Sequence, residues 1–260
     1  MAPPIEGVRI VCISDTHNTQ PTLPDGDVLL HAGDLTQSGS LAELERQIEW
    51  LDAQPHRFKV VIAGNHDLCL DHSKQPLTAG GRSFRRPNWR SLIYLQDSST
   101  VLRLPGGRPL KIYGSPWTPE YGNWAFQYPR TDNDSWRGTI PDDTDILLTH
   151  GPPEHHLDSN GLGCSCLLHE LWTKRSRPPL HVFGHIHAGY GRKSILWDPF
   201  EMAHERAVSQ NGTWLDVLRM ILSLISRFRN IALKETRGTV FVNAAVVGDF
   251  GDEEYQNQSP

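Results

Sequence analysis

Along this chain, short apolar runs stop abruptly at polar residues. Val8 to Ile13 runs into Ser14-Asp15-Thr16-His17, Val28 to Leu30 into His31-Ala32-Gly33-Asp34, and Phe58 to Ala63 into Gly64-Asn65-His66-Asp67. Ile146 to Leu148 runs into Thr149-His150-Gly151, and Leu180 to Phe183 into Gly184-His185-Ile186-His187. Leu110 to Tyr113 and Thr239 to Val242 are similar, ending in Gly114-Ser115 and Asn243-Ala244. Short runs rich in Val, Ile and Leu read as strands buried on both faces. Ligands of open α/β sheets gather outside the carboxyl ends of the strands. The pattern therefore predicts a layered α/β protein with one site along a sheet edge.

Three helices fit between the runs. Leu41 to Ala53 carries Leu41, Leu44, Ile48 and Leu51 at helical spacing, and Ser40 with Glu43 makes a capping box. A second covers about Leu167 to Lys174. The third spans roughly Trp214 to Phe228, with Leu215, Leu218, Leu222 and Ile225 on one face and Asp216, Arg219, Ser223 and Ser226 on the other. It reads as a helix packed on the sheets or meeting a second copy in a homodimer; contact with a membrane is the alternative. Residues 1–252 read as one domain with this helix inserted near 214–228, and 253–260 as a disordered acidic tail.

Composition narrows the class. A net charge of -5 disfavours a general nucleic-acid binder, which needs many Lys and Arg contacts to phosphate. The four cysteines have no CxxC spacing, and Cys164-Ser165-Cys166 is too tight for an ordinary disulfide, so a reducing, cytoplasmic setting is expected. The N-terminal residues lack a signal-peptide pattern, and no stretch is long and apolar enough to span a membrane.

The 13 histidines are explained by where they fall. Asp15 with His17, and His185 with His187, lie two apart at strand ends, a spacing that shares one face of an extended chain. Asp34, Asn65 and His150 add one donor each. Seven ligands exceed a tetrahedral zinc site and suit two ions sharing a bridging carboxylate, for which Asp34 is placed. Carboxylate, amide and imidazole donors suit Mn, Fe or Zn. Singly, Asp-x-His is a strand-end turn and Gly-Asn-His-Asp a tight turn. In order, each after a strand, they make a strong joint signal.

These motifs, with Gly33-Asp34, Gly64-Asn65-His66-Asp67 and Gly184-His185-x-His187, resemble those of the calcineurin-like metallophosphoesterases over residues 8 to 247. The resemblance implies a four-layer α/β/β/α sandwich. It places Asp15, His17, Asp34 and His187 on one metal, and Asp34, Asn65, His150 and His185 on the other. It assigns His66 as the catalytic histidine, stabilising transition-state charge or protonating the leaving oxygen. Gly114-Ser115-Pro116-Trp117, Thr149 to Pro153 and Asn243-Ala244-Ala245 resemble the metallophosphoesterase-domain-containing branch, whose better-known animal members hydrolyse cyclic-nucleotide-type phosphodiesters. Two cations a few Å apart make hydroxide available near neutral pH and orient the ester.

The chain departs from the superfamily's protein phosphatases after Gly33-Asp34. Gln37 and Ser38 replace the Asp and Arg that support the histidine and grip a monoester. A small-molecule or nucleotide phosphodiester is therefore the expected substrate. A catalytically weak scaffold is the competing reading, which the retained His66 disfavours, and a nuclease is a third. Trp117, Tyr121 and Trp124 are candidates to stack a base, and His155 with His156 to line the site mouth; pinning a long loop and surface histidines are the plainer readings. Lys74, Arg82, Arg85, Arg86 and Arg90 read as a solvated loop or a phosphate-gripping lid. His31, His56, His72, His169, His181 and His204 read as structural or surface residues.

Overall fold

The computed structural model describes residues 7–74, 77, 78, 81, 82, 86–208, 213–230 and 238–246. Every apolar run named above forms a strand. Ile10–Ile13 (β1), Val28–His31 (β2), Phe58–Val61 (β3) and Leu92–Tyr94 (β4) make a parallel sheet in that order. The second sheet has six strands, which in chain order are Ser98–Leu102 (β5), Leu110–Ser115 (β6), Ile146–Thr149 (β7), Leu180–Phe183 (β8), Gly191–Leu196 (β9) and Gly238–Asn243 (β10). Their spatial order is β9-β10-β8-β7-β6-β5; the inner four are parallel, and β5 and β9 are antiparallel edges.

Alternation along each strand builds the layers. Val28 and Leu30 meet Val60, Ile62, Ile112, Ile146, Leu148 and Val182 between the sheets. Leu29 and Val61 point the other way, onto Leu44, Ile48 and Leu51 of Leu41–Asp52 (α1). On the far side Tyr113, Leu147, Phe183 and Phe241 pack against Leu167 and Leu171 of Ser165–Thr173 (α2). The result is the expected α/β/β/α sandwich. Each fully buried Leu or Ile of α1 contributes roughly 1.5–3 kcal/mol. The capping box starts α1: Ser40 Oγ accepts from Glu43 N, and Glu43 Oε2 accepts from Ser40 N at 3.1 Å.

The sequence pattern passed over β4, β5, β9 and a helix at Pro199–Val208 (α3). β5 and β9 are edge strands with several exposed positions, so no continuous apolar run marks them. α3 packs against Trp214–Asn230 (α4), the third expected helix. The tail at 253–260 lies outside the described residues, as do Arg85 and the side chain of Arg82. Arg90 pairs with Glu49 and Asp52 of α1, and Lys74 donates to Asn123 at 2.6 Å. No helix among the described residues is long and apolar enough to cross a membrane.

Candidate metal centre

Five parallel strands aim their carboxyl ends at one place. Asp15 follows β1, Asp34 follows β2, Asn65 follows β3, His150 follows β7, and His185 and His187 follow β8. The donors gather into groups whose ligand atoms lie within 4.8 Å of one another: Asp15, His17 and His187; Asp34, His150 and His185; and His17, Asp34 and His66. Asp34 and His17 each belong to two of these, so the groups form one continuous centre straddling both sheets. His187 Nε2 is 3.3 Å from Asp15 Oδ1, and His150 Nε2 is 3.3 Å from Asp34 Oδ2 and 2.9 Å from Asn65 Oδ1. All seven expected ligands are thus brought together.

The route there differs from the spacing argument. Asp15 (φ 56°), His17 (41°), Asp34 (54°) and His185 (68°) all adopt left-handed backbone, so none of the four is on an extended strand. Asp15 N donates to Gly33 O at 2.9 Å and His17 N to Asp34 O at 3.1 Å, which ties the two loops. Such conformations cost on the order of 1–3 kcal/mol each for a non-glycine residue, which the surrounding bonds must offset. His185 and His187 do not share a face either. His187 opens a short 3₁₀ turn toward Asp15, while His185 turns to Asp34 and His150.

The glycines beside the ligands are required by close approach. A Cβ on Gly64 would collide with Asp34 Oδ1, and one on Gly184 with Asp15 Oδ2 and Ser14 Oγ. The motif glycines therefore leave room for the carboxylates themselves.

Electrostatics match a cation site. Burial works against ionising Asp34, yet His150, His66 and His17 hold it well below the usual carboxylate range. Burial likewise works against Asp15, and the bond to His187 and the charge of His150 outweigh it. Burial would lower His150, but Asp34 raises it to about 9. His185 is pushed down to about 3 by burial and by His150. His17 is half-buried, and its two ring nitrogens are buried with no hydrogen-bond partner. Orphaned imidazole nitrogens beside two ionised carboxylates fit a divalent cation, as does the donor set of oxygen and imidazole.

His66 sits at the rim of this centre. Its N–H donates to Asp34 Oδ1 at 2.8 Å, and its Nδ1 lies 2.9 Å from Gln37 O. A carbonyl only accepts, so Nδ1 carries a proton and Nε2 is the exchanging atom. The main chain at Gln37 thus supplies the support that a carboxylate gives in the protein phosphatases. The His66 ring lies edge-on to His17 and flat on Trp124.

The other expected substrate contacts have local partners of their own. Trp117 donates to Asp97 at 2.8 Å and packs on Phe126. Tyr121 is exposed on the same loop, and its carbonyl accepts from Gln127. His155 N donates to Asp158 at 2.8 Å. His156 does not line the mouth: it is fully buried, bonded to Glu205 of α3 at 2.8 Å. With Glu201 and Glu205 it makes another group of buried donors. Lys193 Nζ donates to His156 Nδ1 at 3.1 Å, which leaves the ring proton on Nε2 toward Glu205. In this arrangement His156 and Glu205 are joined by hydrogen bonds, and Lys193 lies 3.6 Å from Glu201.

Three buried residues hold the loops in place; the sequence reading quoted Asp67 and Asn243 only within motifs and took His31 as structural or surface. Asp67 accepts from Gly64 N, Leu35 N, Thr36 N and Thr36 Oγ1, clamping the Asp34 loop to the Asn65 loop. Burial and the Asp34 charge push its carboxyl up to about 6. His31 accepts from Gly33 N at Nδ1, so Nε2 donates to Thr16 Oγ1, and burial holds the ring neutral, down to about 4. Asn243 Nδ2 donates to Ile186 O at 2.8 Å and Leu157 O at 3.0 Å, fixing the turn between His185 and His187. A histidine at the inner end of an apolar strand was the one available hint, at His31.

Comparison with known proteins agrees with this geometry. The sequence profile of the calcineurin-like phosphoesterases matches residues 8–189. "Probable rhamnogalacturonate lyase C" of Emericella nidulans is 51% identical over 94% of this chain and 23% of its own length. "Metallophosphoesterase domain-containing protein 1" of Homo sapiens is 42% identical over 70% of this chain and 61% of its own. "UPF0046 protein T07D4.2" of Caenorhabditis elegans is 40% identical over 71% and 52%. The chain therefore spans less than two thirds of each of these relatives.

Proposed function

This chain belongs to the calcineurin-like phosphoesterase family, and from that premise we propose that it hydrolyses a small-molecule or nucleotide phosphodiester with two divalent cations. Asp15, His17, Asp34 and His187 would hold one, and Asp34, Asn65, His150 and His185 the other, with Mn, Fe or Zn suiting these donors. The observation that carries the reading is His17: a half-buried imidazole whose two buried ring nitrogens have no hydrogen-bond partner, set between the Asp15 and Asp34 groups. Bound there, the cations would neutralise phosphate charge and lower the pKa of water.

The chain's own residues supply the rest. Asp67 and His31 fix the loops that present Asp34 and Asp15. The Gln37 carbonyl and the Trp124 face fix the His66 ring, so that Nε2 can hold a proton for the leaving oxygen. Ser38 is committed to Glu43 at 2.7 Å, and neither Gln37 nor Ser38 carries a guanidinium for a terminal phosphate. That supports a diester over a phosphoprotein.

Bis-p-nitrophenyl phosphate with Mn²⁺ tests the proposal. Wild type should hydrolyse it, and Asp34→Ala and His66→Ala should not. Full activity in Asp34→Ala, or none in wild type with Mn, Fe, Zn or Mg, would overturn the reading and leave the scaffold alternative. Parallel assays on cyclic nucleotides, dinucleotides and monoesters separate the substrate classes.

A further inference from the structure

Glu43 caps α1, and the cap uses only part of its carboxylate. Oε2 accepts from Ser40 N at 3.1 Å and Ser40 Oγ at 3.0 Å, as a capping box requires. Oε2 also accepts from Ser38 N at 3.2 Å and Ser38 Oγ at 2.7 Å, and Oε1 accepts from Asn18 Nδ2 at 2.8 Å. Burial works against ionising this carboxyl, and the bonds from Ser38, Asn18 and Ser40 outweigh it and hold it down at about 2. One anion thus joins α1, the loop after Asp34 and the residue after His17.

The bond from Ser38 N reaches His66. Ser38 N and Gln37 O belong to one planar trans peptide, whose N–H and C=O point in opposite directions. Gln37 O accepts from His66 Nδ1 at 2.9 Å. The Glu43 carboxylate and the His66 imidazole therefore sit at the two ends of a single peptide dipole. A charge-assisted bond at the N–H moves electron density onto the carbonyl oxygen, and bonds in such chains strengthen one another by about 10–30% each. The turn that carries the peptide is pinned from the other side as well. Gly39 O accepts from Cys69 N at 3.0 Å, and Gly39, at φ 74°, lies so close to His66 O that a Cβ would collide with it.

We propose that Glu43 is a positioning residue for His66: acting through the Gln37–Ser38 peptide, its carboxylate holds the proton on Nδ1 and aims Nε2 at the reacting ester. What His66 does in the reaction rests on the phosphodiesterase reading; how its ring is held rests on the hydrogen bonds.

Glu43→Gln keeps the size of the side chain and removes its charge. With bis-p-nitrophenyl phosphate and Mn²⁺, this variant should lower kcat about threefold to tenfold at unchanged KM. The loss should be larger on diphenyl phosphate, whose more basic leaving oxygen depends more on a donated proton. Ser40→Ala weakens the same helix cap and leaves the Ser38 amide bond in place. It should lower the melting temperature and keep kcat at the wild-type value. The ring can also be read without turnover. Proton NMR of the chelator-treated full chain should show an Nδ1–H resonance, identified by its absence in His66→Gln, and Glu43→Gln should move it upfield. A kcat loss of equal size in Ser40→Ala and Glu43→Gln overturns the proposal, as does an Nδ1–H resonance that Glu43→Gln leaves unmoved. A wild type that hydrolyses no diester overturns the phosphodiesterase reading instead, and the resonance still decides whether Glu43 holds His66.

Discussion

The His66 imidazole lies flat against the Trp124 indole, with ring centroids 4.2 Å apart and planes 23° from parallel. Trp124 thus touches the catalytic candidate itself, a role distinct from the substrate stacking expected for its aromatic loop. Stacking limits rotation of the imidazole about the axis that its Gln37 bond leaves free. Trp124→Ala should lower kcat by about tenfold to a hundredfold, the cost of a misplaced acid, and leave KM near wild type. Trp124→Phe should recover most of the loss. A higher KM at unchanged kcat would instead assign Trp124 to the substrate.

Asn243 should act on metal affinity. Its amide bonds Ile186 O and Leu157 O, and Ala245 N donates back to its Oδ1 at 3.2 Å. Asn243→Ala leaves two buried carbonyls without this donor, at about 1–3 kcal/mol, and frees the turn carrying His185 and His187. Calorimetric titration of Mn²⁺ into chelator-treated protein should show about tenfold to a hundredfold weaker binding. Asn243→Asp, which turns an oxygen toward both carbonyls, should be worse. Unchanged affinity in Asn243→Ala would refute the assignment.

Gly184 leaves no room for a methyl group. Gly184→Ala would drive a Cβ into Asp15 and Ser14, and should cost about 1–3 kcal/mol of stability, together with metal binding. Gly107→Ala is the control, since its Cβ would meet nothing nearer than Leu104 O at 4.0 Å. Thermal unfolding of both variants, with and without Mn²⁺, checks this; equal behaviour would contradict the close approach.

The metal-free protein should weaken as pH rises through the His150 transition. His150 is raised from 6.5 to about 9 because Asp34 outweighs burial. A raised pKa gives stability that is complete below the unfolded value near 6.5 and disappears as pH climbs through about 9. Chelator-treated protein should therefore lose melting temperature between pH 6.5 and pH 9, and Asp34→Asn should flatten that slope. A melting temperature that rises over this window would contradict the ion pair.

The sequence by itself determined the strands and the polar residues at their carboxyl ends, while the four-layer order and the division of the ligands between two metals came from the family resemblance. The strand pattern rests on local rules: continuous Val, Ile and Leu runs form strands buried on both faces, and a residue just past such a strand falls at the sheet edge. The capping box of Ser40 and Glu43 is equally local. Tertiary structure decided what depends on main-chain groups and on packing between distant segments. The left-handed turns at Asp15, His17, Asp34 and His185 send neighbouring ligands to different partners, which an extended-chain spacing cannot foretell. The Gln37 carbonyl that supports His66 has no side-chain signature, because any residue at that position carries one. Asn243 reaches Ile186 across 57 residues of chain, and only the pairing of β10 with β8 joins them. The polarity of α4 was legible, but which side faces α3 was not. Amphipathic periodicity fixes two faces and leaves their partners to the fold: among the described residues, the Asp216 carboxylate closes on Thr213 and Arg219 of its own helix start, and the leucines are exposed.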